Sequence, residues 1–484
     1  MRDIRNFIAG QWCDSVSGKR GQVTNPANRN EVLASTPASE PADAERAIAA
    51  AAAAFPAWSR IPAPQRAALL HGVMQKVAAR EEEFVQCITA ENGKALRESR
   101  GEFQAALKEA EFQIGQGRRF GDRLLASEVP GATCYLARQP LGVVTLITPW
   151  NFPLNVACRK MLPALIAGNC CVVKPSDLTP ISAALLFECV EAAGLPAGVA
   201  NLLIGRGSVV GDTLVTHPSV QAVSFTGSTE VGIGISRKLE SRATKVQLEM
   251  GGKNPLVVLA DANLEAAVDA AIAGAFSCAG QWCTSTSRAI VEAPIHDAFV
   301  ARLSEKVRAI KVGRGTDEKI WMGPVCGQKQ YETILKFIEL GKKEGARLCA
   351  GGAALTEGIY RDGCFIAPTV FADVRPEMTI AQEEIFGPVL VVIKAAGFDE
   401  ALQIANGIKY GLASSIYTND LAKAQRFVAE SEVGLCHVNM ITAWKEPQLE
   451  FGGIKESGRG APEAGESGIE FFTHHKAVYV RGAS

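Results

Sequence analysis

The sequence has no long apolar run, no surplus of charge and no paired set of cysteines. No hydrophobic stretch reaches the about 18 residues that a transmembrane helix requires, and the charged segment Met1–Arg5 lacks the apolar core of a secretory signal. Fifty basic side chains stand against 51 acidic ones, so no net field attracts nucleic acid or an anionic membrane. These absences favour a cytoplasmic protein that binds small molecules.

The cysteines and histidines form no metal-binding or disulfide pattern. The 13 cysteines are odd in number and include no pair of CxxC motifs, and Cys170 and Cys171 are adjacent in an apolar run. The six histidines include no HExxH, and the neighbours His474 and His475 point to opposite faces if they lie in a strand. We therefore predict free thiols in a reducing compartment, and no metal site.

The periodicity of apolar residues predicts an α/β protein. With 484 residues the chain is long enough for two or three domains. Residues 40 to 120 have helical periodicity, including the stretches Leu69–Ile88 and Phe103–Phe112. From Leu141 onward, short apolar runs alternate with helical stretches such as Ser182–Ala193, which indicates parallel sheets with crossover helices. The predicted strands are Val143–Thr148, Cys170–Lys174, Ala200–Ile204, Val220–Thr226, Pro255–Leu259, Arg288–Val291 and Val389–Ile393.

Two β-like segments lie outside this alternation, near Leu124–Gln139 and at Phe471–Val480. Strand-like pieces of this kind predict either a paired flap, which often completes the sheet of a neighbouring subunit, or an ordinary hairpin. The pattern alone favours neither.

Cys283 is the one cysteine set among small and polar residues, in the stretch Ala279–Ser285. A cysteine is a nucleophile only as the thiolate, which requires nearby backbone N–H groups, a helix N-terminus or a base. Small neighbours allow amides and a substrate to approach closely. A cysteine is, however, most often a small buried hydrophobic residue, so this interpretation depends on other parts of the chain.

Two stretches that follow predicted strands carry polar groups suited to a ligand. In Thr148–Pro153, prolines stiffen the turn and hold Asn151 with an amide N–H free to donate. Lys174 and Asp177 lie where another strand ends, at the edge where parallel sheets bind the ribose of a nucleotide. A lysine at this position is otherwise an ordinary solvated strand end.

Three further stretches combine glycines with acidic or small polar residues. Phe225–Thr229 is a strand-to-helix turn, whose amides can face a phosphate. Gln247–Lys253 places Glu249 beside two glycines, and Glu383–Pro388 is a second acidic turn with an aromatic residue. Taken singly, such turns are common helix starts and surface turns. No G-x-G-x-x-G fingerprint occurs, so an ordinary Rossmann dehydrogenase is not supported.

In their order and spacing these stretches together resemble the NAD(P)-dependent aldehyde dehydrogenase superfamily, from about Phe7 to Val480. The resemblance implies an α/β fold with three parts: a Rossmann-like cofactor domain (residues 1–122 and 141–250), an α/β catalytic domain (251–445) and a small β oligomerisation flap (123–140 and 465–484). It also implies a homodimer or homotetramer.

The resemblance further implies roles for individual residues. Cys283 corresponds to the nucleophile, Glu249 to the general base, and Asn151 with the N–H of Cys283 to the oxyanion hole. Lys160 and Glu463 correspond to a proton relay, a match that requires one inserted residue near Ala461–Pro462. The residues implied to bind the cofactor are Thr148, Pro149, Trp150, Lys174, Ser176, Asp177, Gly207, Gly211, Phe225, Gly227, Ser228, Met250, Gly251, Glu384 and Phe386.

Arg159 is the residue that best indicates a substrate. It follows Asn151 by just over two helical turns, so both side chains can face one cavity. It resembles the arginine of succinate and α-ketoglutarate semialdehyde dehydrogenases, which binds a distal carboxylate bidentately. The alternative is a helix-surface arginine paired with an acid. A second arginine of some such enzymes is replaced by Ser277. Trp444 and Lys445, in the loop that substrate passes, suit a polar or acidic substrate.

The implied reaction oxidises an aldehyde to a carboxylic acid through a thiohemiacetal and a thioester on Cys283, with hydride transfer to NAD(P)+. Glu249 favours hydrolysis of the thioester over release to coenzyme A, and Asp177 favours NAD over NADP because it repels a 2′-phosphate. Three alternatives remain: a dehydrogenase for a neutral, aromatic or sugar-derived aldehyde, a CoA-acylating semialdehyde dehydrogenase, and an inactive structural homologue.

Overall fold

The computed structural model describes residues 1–482, and its first 37 residues form strands that the sequence does not reveal. They are short, and several alternate poorly between buried and exposed positions, so they lack the period-two signal of a half-buried strand. β5 lies between β1 and β4, whereas β2 and β3 extend a larger sheet. The strands are β1 (Arg2–Asp3), β2 (Asn6–Ile8), β3 (Gln11–Cys13), β4 (Arg20–Asn25) and β5 (Asn28–Pro37).

The predicted helical region is confirmed, and it comprises four helices. The stretch Leu69–Ile88 spans two of them, because one helix ends at Ala78 and the next begins at Glu81. The second begins with three glutamates, whose charge is favourable at a helix N-terminus, and ends at Gly93 with φ 94°. The helices are α1 (Pro41–Trp58), α2 (Ala63–Ala78), α3 (Glu81–Asn92) and α4 (Leu96–Gln116), followed by β6 (Arg123–Leu125) and β7 (Ala132–Pro140).

The first large sheet has a parallel centre in the order β10-β9-β8-β11-β12. This is the strand order of a doubly wound nucleotide-binding fold, in which the ligand lies where the connections diverge, beyond the ends of β8 and β11. Its elements are β8 (Val143–Ile147), α5 (Asn155–Ile166), β9 (Cys170–Lys174), α6 (Ile181–Ala192), β10 (Ala200–Leu202), α7 (Gly207–Thr216), β11 (Val220–Thr226), α8 (Thr229–Lys238) and β12 (Lys245–Glu249).

The second large sheet follows after only four residues, Met250–Lys253, and has the order β15-β16-β17-β14-β13-β19-β20. Helices pack against it, and the 3-10 helix Ser277–Gly280 lies between α9 and β14. Its elements, with one short strand outside the sheet, β18, are β13 (Asn254–Val258), α9 (Leu264–Phe276), β14 (Thr286–Glu292), α10 (Ala293–Arg308), α11 (Gln328–Lys343), β15 (Arg347–Ala350), β16 (Thr369–Ala372), α12 (Thr379–Gln382), β17 (Val389–Ala395), α13 (Phe398–Asn406), β18 (Tyr410–Gly411), β19 (Ala413–Tyr417), α14 (Leu421–Glu430) and β20 (Leu435–Val438).

The C-terminal segment returns to the first half of the chain. Its third strand pairs antiparallel with β12, and its last strand pairs with all nine residues of β7. The two β-like segments predicted to form a flap or a hairpin therefore pair with each other, although residues 465–471 are helical. The elements are β21 (Glu450–Phe451), β22 (Ile454–Lys455), β23 (Gly458–Gly460), β24 (Glu463–Ala464), α15 (Gly465–Phe471) and β25 (Thr473–Arg481).

Helix α5 lies at the centre of the larger core. All 12 of its residues are buried, including the charged Arg159 and Lys160, because α4, α2, α15 and β9 surround it. Strand β9, beside it, is buried along its whole length. No helix among residues 1–482 is both long and apolar enough to cross a membrane.

Asn169 joins three parts of this core. Its Oδ1 accepts hydrogen bonds from the N–H groups of Leu141 and Gly142, at 2.7 and 3.0 Å, and its Nδ2 donates to the carbonyls of Ala164 and Phe472, at 3.1 and 2.9 Å. Asn169 thereby connects the end of α5 with the start of β8 and with the segment that leads into β25.

We expect Asn169→Ala to lower the free energy of unfolding by about 2 to 4 kcal/mol, because each buried polar group left without a partner costs about 1–3 kcal/mol. A shift of the thermal midpoint measures the effect, with the exposed Asn30→Ala as the matched control. An unchanged midpoint would show that water replaces the amide at no cost.

Candidate active site

Cys283 follows a stretch of left-handed backbone. The φ angles of Cys278, Ala279 and Gly280 are 52°, 54° and 69°, a region that only glycine adopts without cost. At Gly280 a Cβ atom would lie 2.1 Å from the carbonyl oxygen of Gly387, so no side chain fits. Strained backbone of this kind occurs where the surrounding structure holds a functional segment in place, and here it sets the path of the chain toward Cys283.

Asn254, the first residue of β13, fixes the cysteine from the other side. Its Nδ2 donates to the carbonyls of Cys283 and Ser285, both at 2.8 Å, and its Oδ1 accepts from the N–H of Ala413 at 3.0 Å. All its bonds join separate segments of the second sheet. The backbone of the predicted nucleophile is therefore held by a fully buried amide.

The thiol of Cys283 is protonated in this environment. Burial raises its pKa to about 12, and the positive charge of Arg159 acts in the opposite direction. Glu249, if ionised, raises the pKa further. A nucleophilic thiolate at neutral pH therefore requires that a base take the proton or that a further positive charge arrive.

Asn151 contacts the segment that leads to Cys283, and its amide is not entirely free. Its Nδ2 donates to the carbonyl of Gln281 at 3.0 Å, so one N–H is occupied and the other remains for a ligand. The turn that carries it is held by Glu102, whose Oε1 accepts from the N–H groups of Leu154 and Asn155, at 3.0 and 3.2 Å. This arrangement orients Asn151 before any substrate binds.

Glu249 ends β12 and is buried. One of its oxygens faces Gly452, where a Cβ atom would approach to 2.9 Å, and the other has no hydrogen-bond partner among residues 1–482. Burial, together with Glu463, raises the pKa of Glu249 well above its usual value, while Lys160 and Arg159 act in the opposite direction. A carboxyl with a raised pKa is suited to exchange protons near neutral pH.

Lys160 and Glu463 are in contact, as the predicted relay requires. Lys160 Nζ bonds Glu463 Oε1 and donates to Ser224 Oγ at 2.7 Å, and Thr226 Oγ1 donates to Glu463 Oε1 at 2.9 Å. Burial opposes ionisation of Glu463, but Lys160 and Arg159 hold its pKa below the usual value. The inserted residue near Ala461–Pro462 does not displace Glu463 from the site.

The alternative interpretation of Arg159 was a helix-surface arginine paired with an acid. Its location is wrong, because Arg159 is buried, but Arg159 does lie near acids. It is 7% exposed; Nη2 donates to Asn155 Oδ1 at 2.9 Å, and Nη1 lies 3.6 Å from Glu463 Oε2. Its Nε lies 3.8 Å from Glu109 Oε2 and has no hydrogen-bond partner within residues 1–482. Arg159 thus keeps one buried donor for a ligand.

Trp444 lies further out. Its side chain is 51% exposed, and its indole N–H donates to Glu446 Oε1 in the same loop at 3.1 Å. The neighbouring Lys445 turns the other way and reaches the buried Glu109. A role of Trp444 in substrate binding remains a prediction.

The crevice beyond β8, β9 and β11 collects groups that fit a dinucleotide. Lys174 is buried, and among residues 1–482 its Nζ donates only to the carbonyl of the next residue, Pro175, at 2.9 Å. Thr148 Oγ1 is buried with no partner among the described residues. Ser228 is the N-cap of α8, where free N–H groups favour phosphate. Of the other residues implied to bind the cofactor, Pro149, Ser176, Asp177 and Gly227 follow the ends of these strands, Phe225 lies near the end of β11, and Gly207 and Gly211 lie in α7.

At the inner end of the crevice, glycines allow a carboxylate to lie against the backbone. The N–H of Gly252 donates to Glu384 Oε1 at 2.9 Å, and a Cβ atom at Gly251 would lie 2.2 Å from Glu384 Oε2. Burial raises the pKa of Glu384 to about 7. The rings of Trp150 and Phe386 meet edge to face nearby, 5.3 Å apart, and Met250 packs on the start of α8 against Gly232.

Sequence reasoning missed Glu109, Glu102 and Asn254. Glu102 and Glu109 lie seven residues apart on α4, hence on one face, and that face also carries Phe103 and Ala106. Acids on the apolar face of an amphipathic helix indicate buried carboxylates, a signal that was available. Nothing local distinguishes Asn254 from an ordinary strand residue.

Three comparisons with known proteins agree with this geometry. The model of the aldehyde dehydrogenase family matches residues 12–478. The α-ketoglutaric semialdehyde dehydrogenase of Bacillus subtilis is 43% identical over 98% of each chain, and the α-ketoglutarate semialdehyde dehydrogenase of Haloferax volcanii is 40% identical over 98% of each chain.

The crystal structure of betaine aldehyde dehydrogenase from Staphylococcus aureus in complex with NAD+ superposes with a TM-score of 0.96 at 36% identity, covering 99% of this chain and 95% of that chain. The fold, the half-buried Cys283 with its acidic and basic neighbours, and these similarities lead to one conclusion: the chain is an enzyme that belongs to the aldehyde dehydrogenase family.

Proposed function

We propose that this enzyme oxidises a carboxylate-bearing semialdehyde, with α-ketoglutarate semialdehyde as the first candidate and succinate semialdehyde as the second. The observation that carries the proposal is Arg159, a buried guanidinium whose charge acts on Cys283 and whose Nε has no partner among residues 1–482. The names of the Bacillus and Haloferax relatives support it. A distal carboxylate that accepts from Arg159 fixes the aldehyde beside the sulfur.

In the proposed reaction, the Cys283 thiol gives up its proton to a water molecule, its sulfur adds to the aldehyde carbon and the carbonyl oxygen becomes negative. The free N–H of Asn151 and the backbone N–H of Cys283 stabilise that oxygen; loss of one such donor typically costs about 3–4 kcal/mol of barrier. A nicotinamide cofactor, when bound, supplies the acceptor for the two electrons that leave this carbon. The product on the enzyme is a thioester of Cys283.

Glu249 then activates the water that hydrolyses the thioester. Its carboxylate takes a proton from water, the resulting hydroxide adds to the thioester carbon, and the sulfur of Cys283 leaves as the thiolate. Lys160 and Glu463, which are in contact, are the proposed route by which the proton then leaves the site. Because Glu249 is present and buried, water rather than the thiol of coenzyme A is the proposed acceptor of the acyl group. Cys283, Glu249 and Asn151 together also argue against an inactive homologue.

NAD is the proposed cofactor, with NADP tolerated. Lys174 and Ser176 are placed to bind ribose hydroxyls, and the exposed carboxylate of Asp177 repels a 2′-phosphate. The NAD+ complex of the Staphylococcus relative is consistent with this choice.

We also propose a cytoplasmic homodimer or homotetramer that uses the sheet β25-β7-β6 as its interface. The proposal is supported by exposed apolar side chains on that sheet, Leu124, Leu125, Tyr479 and Val480, and by the free edge of β25. All 13 cysteines are free, which suits a reducing compartment.

Glu249→Gln separates the two chemical steps. We expect a burst of reduced cofactor close to one equivalent per site, followed by turnover slowed by about 100-fold or more, because general-base catalysis contributes about 10²–10⁴. In the wild type the slow step should accelerate as the pH rises through the raised pKa of Glu249, since only the carboxylate acts as base. Stopped-flow absorbance measures both phases. Full steady-state turnover in the variant would contradict the assignment.

Arg159→Met tests the substrate class. We expect kcat/KM for α-ketoglutarate semialdehyde and succinate semialdehyde to fall about 100-fold more than kcat/KM for pentanal, because an unpaired buried charge in such a contact costs about 2–5 kcal/mol. The comparison with pentanal removes any general effect on Cys283. The exposed Arg100→Met on α4 is the matched control.

Two results would argue against the semialdehyde proposal. One is a wild-type enzyme that does not prefer the acidic aldehydes to pentanal, and the other is an equal loss for all three substrates in Arg159→Met. Either result would favour a neutral, aromatic or sugar-derived aldehyde.

Asp177→Asn tests the cofactor preference. We expect kcat/KM for NADP to rise about fivefold relative to NAD, the effect of removing one exposed charge interaction of about 1 kcal/mol. Initial rates with each cofactor at low salt measure the ratio. An unchanged ratio would mean that Asp177 does not face the 2′ position.

A further inference from the structure

Lys445 and Arg159 are joined through a single oxygen atom. Lys445 Nζ donates to Glu109 Oε2 at 2.6 Å, and Arg159 Nε lies 3.8 Å from the same oxygen. Both cations also lie over the ring of Phe451, at 4.5 Å for the guanidinium and 5.9 Å for the ammonium. Two positive groups from different parts of the chain therefore face one small region.

From this geometry we infer that Lys445 is a second substrate-binding cation, which holds the distal carboxylate of the aldehyde together with Arg159. The inference rests on the proposed semialdehyde function and extends it to a residue of the loop between β20 and β21, residues 439–449. Some semialdehyde dehydrogenases carry a second arginine where this chain has Ser277. We infer that Lys445 takes the place of that arginine.

The two cations have hydrogen-bond donors to spare. Arg159 Nε has no partner within the described chain, and Lys445, which carries three N–H groups, donates only to Glu109 within residues 1–482. Glu109 Oε1 is likewise buried without a partner there. A substrate carboxylate placed between the two cations receives one hydrogen bond from each. Glu109, which both cations approach, holds the two side chains close to each other.

The charge balance of the region also favours an additional anion. Three cationic side chains, Arg159, Lys160 and Lys445, meet two acids in direct contact with them, Glu109 and Glu463, and burial raises the pKa of the third acid, Glu249. Burial and Arg159 lower the pKa of Lys445 to about 8, which leaves it protonated at neutral pH. The charged groups of this cluster are Arg159, Lys160, Lys445, Glu109 and Glu463.

The two cations differ in depth. The side chain of Arg159 is 7% exposed and that of Lys445 is 20% exposed, so Arg159 is the inner and Lys445 the outer contact. A longer acid reaches further from Cys283 than a shorter one. Lys445 therefore matters more for α-ketoglutarate semialdehyde, which has five carbons, than for succinate semialdehyde, which has four.

Lys445→Met tests this inference, since it keeps an unbranched side chain only one heavy atom shorter and removes the charge. We expect KM for α-ketoglutarate semialdehyde to rise about 10- to 100-fold, with a smaller rise for succinate semialdehyde and a loss for pentanal at least tenfold smaller than for α-ketoglutarate semialdehyde. Lys445→Arg should restore most of the affinity. Lys423→Met, on the exposed face of α14, is the matched control.

The double variant Lys445→Met, Glu109→Gln covers the case in which a single change disturbs folding. It removes the ion pair of Lys445 and Glu109 as a unit, and Arg159 keeps Glu463 Oε2 as an acidic neighbour at 3.6 Å, so it should fold while retaining the high KM for the acidic aldehydes. A low KM in this folded double variant would overturn the inference.

The results distinguish a failure of the proposed semialdehyde function from a failure of the role of Lys445. If wild-type enzyme does not prefer acidic aldehydes to pentanal, the proposed function fails. If the wild type prefers them and Lys445→Met keeps the same preference, or loses activity equally for all three aldehydes, only the role of Lys445 is overturned and the ion pair with Glu109 is structural.

Discussion

Helix α5 places two positive charges inside an apolar core, and the arrangement of the site follows from the need to compensate them. A buried charge costs several kcal/mol unless it is paired and hydrogen-bonded. Arg159 and Lys160 are therefore surrounded by carboxylates drawn from α4, β12 and β24. These segments are distant in the sequence, so the charges on one helix bring together four parts of the chain around Cys283.

The same compensation tunes the groups that react. Glu249 and Glu463 are both buried carboxyls, but their pKa values shift in opposite directions because only Glu463 directly contacts Lys160. Two carboxyls with separated pKa values divide the roles of proton carrier and fixed charge. Arg159 meanwhile opposes the rise in the pKa of Cys283, so a residue proposed to bind substrate also promotes the thiolate.

The strands and the local motifs were predictable, whereas the long-range contacts were not. β9 and β11 agree with their predicted bounds because both are short, mainly apolar segments between polar turns. Cys283, Glu249 and Asn151 stand in short stretches whose residue types are unusual together. Glu109 and Lys445 meet across 336 positions, and no local pattern encodes that contact. The strands of the first 37 residues were not predicted, because most of them are short and largely polar.

Only four residues, Met250–Lys253, separate the strand that ends in Glu249 from the strand that begins with Asn254. Glu249 therefore belongs to the sheet that forms the crevice, while Asn254 belongs to the sheet that holds the cysteine. The five Cα–Cα steps from Glu249 to Asn254 span at most about 18 Å, so the end of the strand that carries the proposed base stays near the start of the strand that anchors the proposed nucleophile.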